Sequence, residues 1–324
     1  MKKDLDVIGL GELLIDFTMN GSSNQGNPFF EANPGGAPCN VLSMLQKLGK
    51  KTAFIGKVGR DSFGRMLRET LERIGICTDY LMEDGEVPTT LAFVHTLPDG
   101  DRDFSFYRNP GADMMLSSED ISREAIGRGR IFHFGTLSMT HEQVREATVK
   151  ALKLAREEGL LISLDPNLRP PLWKNMQEAR EQMLEAVSYC DVLKISDNEI
   201  QFLSGCDDYE EGIAWLRERY PISLICLTLG KDGSSAYYKD LRVEVAGVFR
   251  EQVVDATGAG DTFCGCVLNY LLDHGLDALQ EKDLREMLLF ANAAASLVVI
   301  RKGALCSMPE LSQIEVLLEK QKGH

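Results

Sequence analysis

No run in the 324 residues approaches the roughly 20 apolar positions that a membrane-spanning helix needs; the longest extends only from Ala293 to Ile300. A membrane partner is therefore not expected. The N-terminus, Met1-Lys2-Lys3-Asp4-Leu5-Asp6, sets acids into its first apolar stretch, which excludes the core of a secretion signal. Cysteine occurs eight times, but without C-x-x-C pairs or the dense spacing of a secreted disulfide framework, so reduced thiols in the cytoplasm are expected. The five histidines include no H-x-x-x-H pair, and no transition-metal chemistry is anticipated. No G-x-x-x-x-G-K-[ST] phosphate loop occurs, since Gly230-Lys231 is followed by Asp232. Positive charge is also short: 35 Lys and Arg against 49 Asp and Glu leave a net charge of −14. Such a field repels nucleic acid and anionic lipid, so any phosphate bound must meet a local positive site.

What is present is an ordinary globular composition, 44% hydrophobic and 26% charged, with no Pro-, Gly- or Ser-rich linker and no internal repeat. One folding unit over 1–324 is expected. Short β-rich runs alternate with helical patterns: Val7 to Leu10, Thr52 to Ile55, Ile131 to Phe134, Leu160 to Leu164, Val192 to Ile195 and Leu224 to Thr228. Between them lie stretches such as Asp61 to Ile74, where Phe63, Met66, Leu67, Leu71 and Ile74 share one helical face. This predicts an α/β fold, a mostly parallel sheet covered on both faces, with ligands beyond the carboxyl ends of the strands. Thr90 to Arg108 breaks that rhythm and reads as a hairpin, with Pro98-Asp99-Gly100 as its turn and Phe104 and Phe106 at period two. With Asp16 to Phe30 it predicts a small β lid, about 12–32 and 88–110, over the ligand edge.

The strongest chemical signal is Asp255-Ala256-Thr257-Gly258-Ala259-Gly260-Asp261, a small-residue turn running into a helical pattern from Thr262. Glycines there let backbone N–H groups converge on an anion, and the helix dipole adds positive potential at the same point. Alone, the motif equally fits an Asp cap after a flexible turn. A dipole contribution of about 0.3–1 kcal/mol per charge is too small to hold a triphosphate, so Mg²⁺ and fixed cations must help. Arg169 in Asp165-Pro166-Asn167-Leu168-Arg169, just past a strand, offers a guanidinium, and Glu199 after the next strand could organise Mg²⁺ through water or simply sit in a helix first turn. Thr228-Leu229-Gly230-Lys231-Asp232-Gly233 reads either as a nucleotide-lining turn or as an ordinary hairpin turn. Near the other end, Gly35-Gly36 allows close backbone approach to a ligand, Pro38 starts a helix, and Asn40 and Asp16 supply donors and acceptors for a polyol.

Gly35-Gly36-Ala37-Pro38-Cys39-Asn40 and Asp255 to Asp261 resemble the two signatures of the pfkB carbohydrate kinase (ribokinase-like) family, and the likeness runs the full length. Gly9 to Phe17, Phe106-Tyr107-Arg108, Asp165 to Arg169 with Leu172-Trp173, and Arg301 to Ala304 most resemble bacterial fructokinases. The resemblance implies a three-layer α/β/α core with a lid, and an ATP- and Mg²⁺-dependent kinase whose acceptor is a small sugar, D-fructose first. It implies Asp261 as catalytic base with Gly258, Ala259 and Gly260 donating N–H groups to the transferring phosphoryl, and Asp16, Gly35, Gly36, Asn40, Tyr107 and Arg108 holding the sugar. Asn167, Arg169, Lys194, Ser196, Glu199, Thr228, Gly230, Gly233 and Asn292 would lie along the ATP and Mg²⁺ side. The family's N-x-x-E element stands here as Ser196-Asp197-Asn198-Glu199. Asp255 and Thr257 match two ligands of a monovalent cation, which makes K⁺ activation an expectation, and homodimers closed through lids occur in relatives.

Rival readings differ in class. Gly9-Leu10-Gly11 after the first strand suggests a nicotinamide oxidoreductase, but Leu14 stands where the third glycine belongs. A catalytically silent sensor on the same fold is disfavoured by an intact Asp261. Among acceptors, Tyr107-Arg108 would also suit the carboxylate of 2-keto-3-deoxygluconate, and ribose or a nucleoside shares the same phosphoryl chemistry.

Overall fold

Strand alternation builds the core: Val7 and Ile8, like Val192 and Leu193 or Leu224 and Ile225, are fully buried neighbours that belong to two different apolar clusters, one on each face of a sheet. The computed structural model describes residues 3–96, 102–250, 253–254, 256–303 and 305–322. The chain runs β1 (Val7–Leu10), β2 (Leu14–Ser22), β3 (Pro28–Gly35), α1 (Ala37–Lys47), β4 (Thr52–Gly59), α2 (Ser62–Ile74), β5 (Leu81–Asp84), β6 (Leu91–Thr96), β7 (Arg102–Tyr107), α3 (Arg123–Gly127), β8 (Ile131–Gly135) and α4 (Glu142–Glu157). It continues with β9 (Leu161–Asp165), α5 (Met176–Val187), β10 (Val192–Ser196), α6 (Asp197–Ser204), α7 (Tyr209–Arg219), β11 (Leu224–Thr228), β12 (Gly233–Tyr238), β13 (Leu241–Ala246), α8 (Ala259–His274), α9 (Glu281–Val298) and α10 (Leu311–Lys322). Nine strands in the order β13-β12-β11-β10-β9-β8-β1-β4-β5 form the main sheet, parallel except for β12 and β13. Helices α1, α2, α8, α9 and α10 contribute to one cluster and α3 to α7 to the other, which is the expected three-layer α/β/α arrangement.

Local chemistry sets the element ends. In α2, Asp61 caps the helix by accepting from Gly64 N at 2.7 Å, Leu67 and Leu71 bury the apolar face, and Gly75 closes it in the left-handed region at φ 98°. The segment Gly230 to Asp232 is a single tight turn joining β11 to antiparallel β12. No described helix is long and apolar enough to cross a membrane, and all eight cysteines are free.

The lid is a separate four-stranded sheet, β3-β2-β6-β7. Its strands span Leu14–Gly35 and Leu91–Tyr107, so the first piece reaches further than residue 32. Asn33, Pro34 and Gly35 pair with Asp16, Ile15 and Leu14; β3 is an edge strand, where proline's missing N–H is tolerated. The hairpin turn expected at Pro98-Asp99-Gly100 lies outside the described residues. Register assigns the faces: Ala92 opposes Phe106 and Leu91 opposes Tyr107, so Asp16 and Phe106 face one way and Phe17, Phe93 and Tyr107 the other.

Candidate active site

Between the lid and the carboxyl ends of the parallel strands lies a cavity of about 370 Å³. Glu12, Leu14, Asp16, Gly36, Ala37, Asn40, Phe106 and Leu137 line it on one side, and Asn167, Arg169, Lys194, Ser196, Glu199, Ala256, Thr257, Gly258, Gly260 and Asp261 on the other. It is the place that sheet topology dictates for a ligand.

Helix α8 opens on this cavity. Gly258 is its N-cap at φ 83°, in the left-handed region where a side chain would be strained, and Asp261 falls in the first turn. First-turn N–H groups have no intrahelical acceptor, and Gly258, Gly260 and Asp261 line the cavity, whereas Ala259 does not and its N–H donates to Ala256 O at 3.3 Å. Asp261 is buried, and its Oδ2 accepts from Asn40 Nδ2 at 2.7 Å. That bond ties α1 to α8 across the site. Burial raises the Asp261 carboxyl above the usual range, while the Asn40 bond and the charges of Lys194 and Arg169 oppose the rise.

Lys194 projects from β10 beneath the α8 N-terminus. A Cβ added at Gly260 would stand 2.9 Å from its Nζ, so any side chain there would push the ammonium from this position. Nζ pairs with Asp165 at 3.1 Å, and both side chains are buried. Burial disfavours the ammonium, yet the carboxylates of Asp165, Glu199 and Asp261 outweigh it and hold Lys194 above its ordinary value. Glu199 is the acid of a capping box: its Oε2 accepts from Ser196 N at 2.9 Å and Ser196 Oγ at 2.8 Å, and its Oε1 from Leu168 N at 2.8 Å. Burial pushes its pKa up, but Lys194 and these donors more than offset that and lower it. Serine in place of the expected asparagine at 196 thus has a clear local use.

On the other side, Gly36 takes φ 133°, and a Cβ there would meet Glu12 O at 2.3 Å. A Cβ at Gly35 would be pressed to 2.4 Å from Asp16 Oδ2. Gly35 thus clears space beside the acid rather than lining the cavity itself. Glu12 Oε1 accepts from Ala37 N at 2.7 Å, fixing the entry to α1, and burial raises this carboxyl to about 7.

Several expected site residues lie elsewhere. Tyr107 is 65% exposed, because Phe106 takes the cavity face and strand alternation turns Tyr107 onto Phe93. Arg108 is buried but committed: Nε and Nη2 pair with Asp113 Oδ2 at 2.8 and 2.7 Å, Nη1 donates to Thr140 Oγ1 at 2.8 Å and Nη2 to Leu137 O at 3.1 Å. Neither lines the cavity. Nor do Thr228, Gly230, Gly233 or Asn292. Thr228 and Gly230 sit one strand beyond Ser196, with Thr228 paired to it in register. The Asn292 amide accepts from Ser234 Oγ at 2.9 Å and donates to Val245 O and Ala246 O at 3.2 and 3.3 Å, so it holds α9 against the β12–β13 hairpin. Gly233 is required because a Cβ would fall 2.1 Å from Val245 O. Asp255 lies outside the described residues, while Thr257 lines the cavity. Sequence reasoning passed over Glu12, Leu14, Ala37, Phe106, Leu137 and Ala256; Glu12 had a signal, an acid immediately after the first strand at the ligand edge.

The family model described as pfkB family carbohydrate kinase matches residues 4–311. Fructokinase-1 of Zea mays is 40% identical over 316 residues, covering 97% of this chain and 98% of that protein. Among solved structures, the ATP-bound fructokinase from Xylella fastidiosa superposes with a TM-score of 0.89 at 31% identity, covering 99% of this chain and all of that one (100%). A double mutant of the Vibrio cholerae O395 fructokinase, in a fructose-, ADP- and potassium-bound form, gives 0.87 at 29% identity, over 98% and 100% of the two chains.

Proposed function

The chain belongs to the pfkB family of carbohydrate kinases, and on that footing we propose that it transfers the γ-phosphoryl group of ATP to free D-fructose, giving fructose 6-phosphate. The choice of a neutral sugar rests on charge. Three carboxyl groups, Glu12, Asp16 and Asp261, line the acceptor end, and the two lining cations, Arg169 and Lys194, act on Asp261 from the side of β9 and β10, with Lys194 already paired to Asp165. The one cation that would have suited 2-keto-3-deoxygluconate, Arg108, is consumed by Asp113, Thr140 and Leu137. A sugar acid or sugar phosphate would meet carboxylates there, and a polyol would meet acceptors for its hydroxyls.

In this reading Asp261 orients the sugar hydroxyl and takes its proton late, with Asn40 fixing the carboxylate. The transition state of phosphoryl transfer is loose, so positioning and charge neutralisation dominate. The N–H groups of Gly258, Ala259 and Gly260 would gather the γ-phosphoryl oxygens, with Lys194 and Arg169 neutralising them. Asn167, Ser196 and Glu199 would border the nucleotide, which would extend toward Thr228 and Gly230. Among the described residues no group of three His, Cys, Asp or Glu side chains could cage a metal ion. Mg²⁺ keeps its waters and is carried by phosphate oxygens and one or two carboxylates; Glu199 would hold it through water. Bound there, Mg²⁺ would neutralise charge on the β- and γ-phosphates. Closure of the lid would exclude water and suppress wasteful ATP hydrolysis. The eight free thiols support a cytoplasmic location.

ADP release measured with fructose, ribose, 2-keto-3-deoxygluconate, adenosine and fructose 6-phosphate should favour fructose by at least about tenfold in kcat/KM. Preference for the keto-deoxy acid would overturn the choice of sugar. The same assay should run several-fold faster in potassium than in tetramethylammonium salts if Thr257 and Asp255 hold a monovalent cation; equal rates would remove that site.

A homodimer is proposed as well, because the lid face turned away from the cavity carries Phe17, Phe93, Phe30, Met19 and Tyr107, with Met19 62% exposed. Light scattering should give twice the 36.0 kDa chain mass, falling to one chain for Met19→Glu. A monomeric parent chain would contradict it.

A further inference from the structure

Glu12 belongs to neither glycine-rich signature, yet it occupies the turn between β1 and β2 at the acceptor end of the cavity. The residue is 3% exposed. One oxygen is explained: Oε1 accepts from Ala37 N at 2.7 Å. The other is not. Oε2 is buried, belongs to a cavity-lining side chain, and finds no hydrogen-bond partner among the described residues. Asn40 repeats the pattern on the same cavity, with Nδ2 donating to Asp261 and a buried Oδ1 without a partner. Ala37, which Glu12 grips, and Asn40 are three residues apart in α1 and therefore neighbours on one helix face.

Buried polar atoms are almost always satisfied, and two unsatisfied oxygens on one cavity mark a place where a ligand completes the bonding. The ligand must bring at least two hydrogen-bond donors close together, and it must tolerate carboxyl groups, which describes a polyol. We propose that Glu12 is a sugar-binding residue, its Oε2 and the Oδ1 of Asn40 accepting from hydroxyls of the acceptor other than the one that Asp261 deprotonates. This rests on the neutral-sugar reading above. Because the Oε1 clip to Ala37 holds the side chain in place before the sugar arrives, little ordering entropy is lost on binding. The same clip makes Glu12 a specificity residue: a sugar lacking the matching hydroxyl leaves Oε2 buried and unpaired.

The test compares the parent enzyme, Glu12→Leu and Glu12→Gln on fructose and on its monodeoxy analogues, reading kcat and both KM values. Glu12→Leu should raise the KM for fructose about tenfold or more, with the KM for ATP within about twofold. One monodeoxy analogue should lose about tenfold on the parent enzyme and nothing further on Glu12→Leu, since the two changes remove the same bond. If every analogue loses the same factor on variant and parent, or if the two KM values rise together, Glu12 only clips α1 and the proposal fails. Should Glu12→Leu not fold, Glu12→Gln keeps a carbonyl for Ala37 N but puts an N–H donor where Oε2 accepted, and it must change the penalty for that one analogue and for no other. A parent enzyme active on fructose but without this coupling sinks the role of Glu12 alone; one silent on every neutral sugar sinks the acceptor reading and Glu12 with it.

Discussion

Asp261→Asn is expected to lower kcat by about 10²–10⁴-fold while leaving ATP affinity almost unchanged. The side chains are nearly isosteric, and the carbonyl oxygen of the new amide can still accept from Asn40 Nδ2, which now approaches Asp261 Oδ2 at 2.7 Å. What disappears is the capacity to take the hydroxyl proton. The groups proposed to face the nucleotide, Lys194, Arg169 and the α8 N-terminus, stay where they are. Acid dependence provides a second readout. Burial raises the Asp261 carboxyl above its ordinary value near 3.8, and the base form is the ionised one. On the parent enzyme, kcat/KM should therefore fall on the acid side with an apparent pKa above that value, and the variant should lack this limb. Stability moves the other way. A carboxyl whose folded pKa is raised contributes stability at low pH that is lost as pH rises through the folded value, so at neutral pH the folded state carries a buried charge. Asp261→Asn should leave the Tm at pH 7 unchanged or raise it. Near-normal turnover would remove Asp261 from the mechanism, and a large drop in Tm would mean that the rate loss came from unfolding.

Lys194→Met should have a comparably large effect through a different route. Removing the ammonium leaves Asp165 buried without its partner, and breaking one side of such a pair typically costs about 3–5 kcal/mol. Adding Asp165→Asn removes the orphaned charge, so the double variant should recover much of the lost stability in denaturant unfolding. Turnover should not recover with it, because the cation beside Gly260 is still missing. A double variant that regained both stability and kcat would assign Lys194 to packing alone. One that regained neither would show that the pair is not the source of the loss.

Much of the fold was legible because its signals are local. The buried strands Val192–Ser196 and Leu224–Thr228 are nearly continuous apolar runs, as parallel strands covered on both faces must be. The spacing of Phe63, Met66, Leu67, Leu71 and Ile74 announced α2, and Asp61 and Gly75 mark its ends. The antiparallel β11–β12 pairing was less legible, since a Lys-Asp-Gly turn serves a hairpin and a nucleotide loop equally well. The site divided along the same line. Gly258, Gly260 and Asp261, which line the cavity, stood out because a glycine turn entering a helix is a local pattern suited to anions. Arg108 and Tyr107 could not be judged in sequence. A guanidinium next to an aromatic looks the same whether it faces a carboxylate on a ligand or one on Asp113, and period-two alternation says that Phe106 and Tyr107 point apart without saying which points inward. Asn292 raises the same ambiguity: an amide reads alike whether it waits for adenosine or binds two carbonyls of a neighbouring hairpin.

The amino-acid order alone therefore determined the layered sheet, the place of the small-residue turn and the presence of an acid, Asp261, in the first turn of the helix behind it, all of which depend on neighbours within a few positions. Tertiary structure decided which charges remain for a ligand. Asn40 meets Asp261, Lys194 meets Asp165 and Arg108 meets Asp113 only once strand register and helix packing are set. A polar side chain's role depends on whether the folded protein has already satisfied it. That balance of desolvation against pairing exists only when distant segments come together, which is why Glu12 Oε2, left over after packing, became visible last.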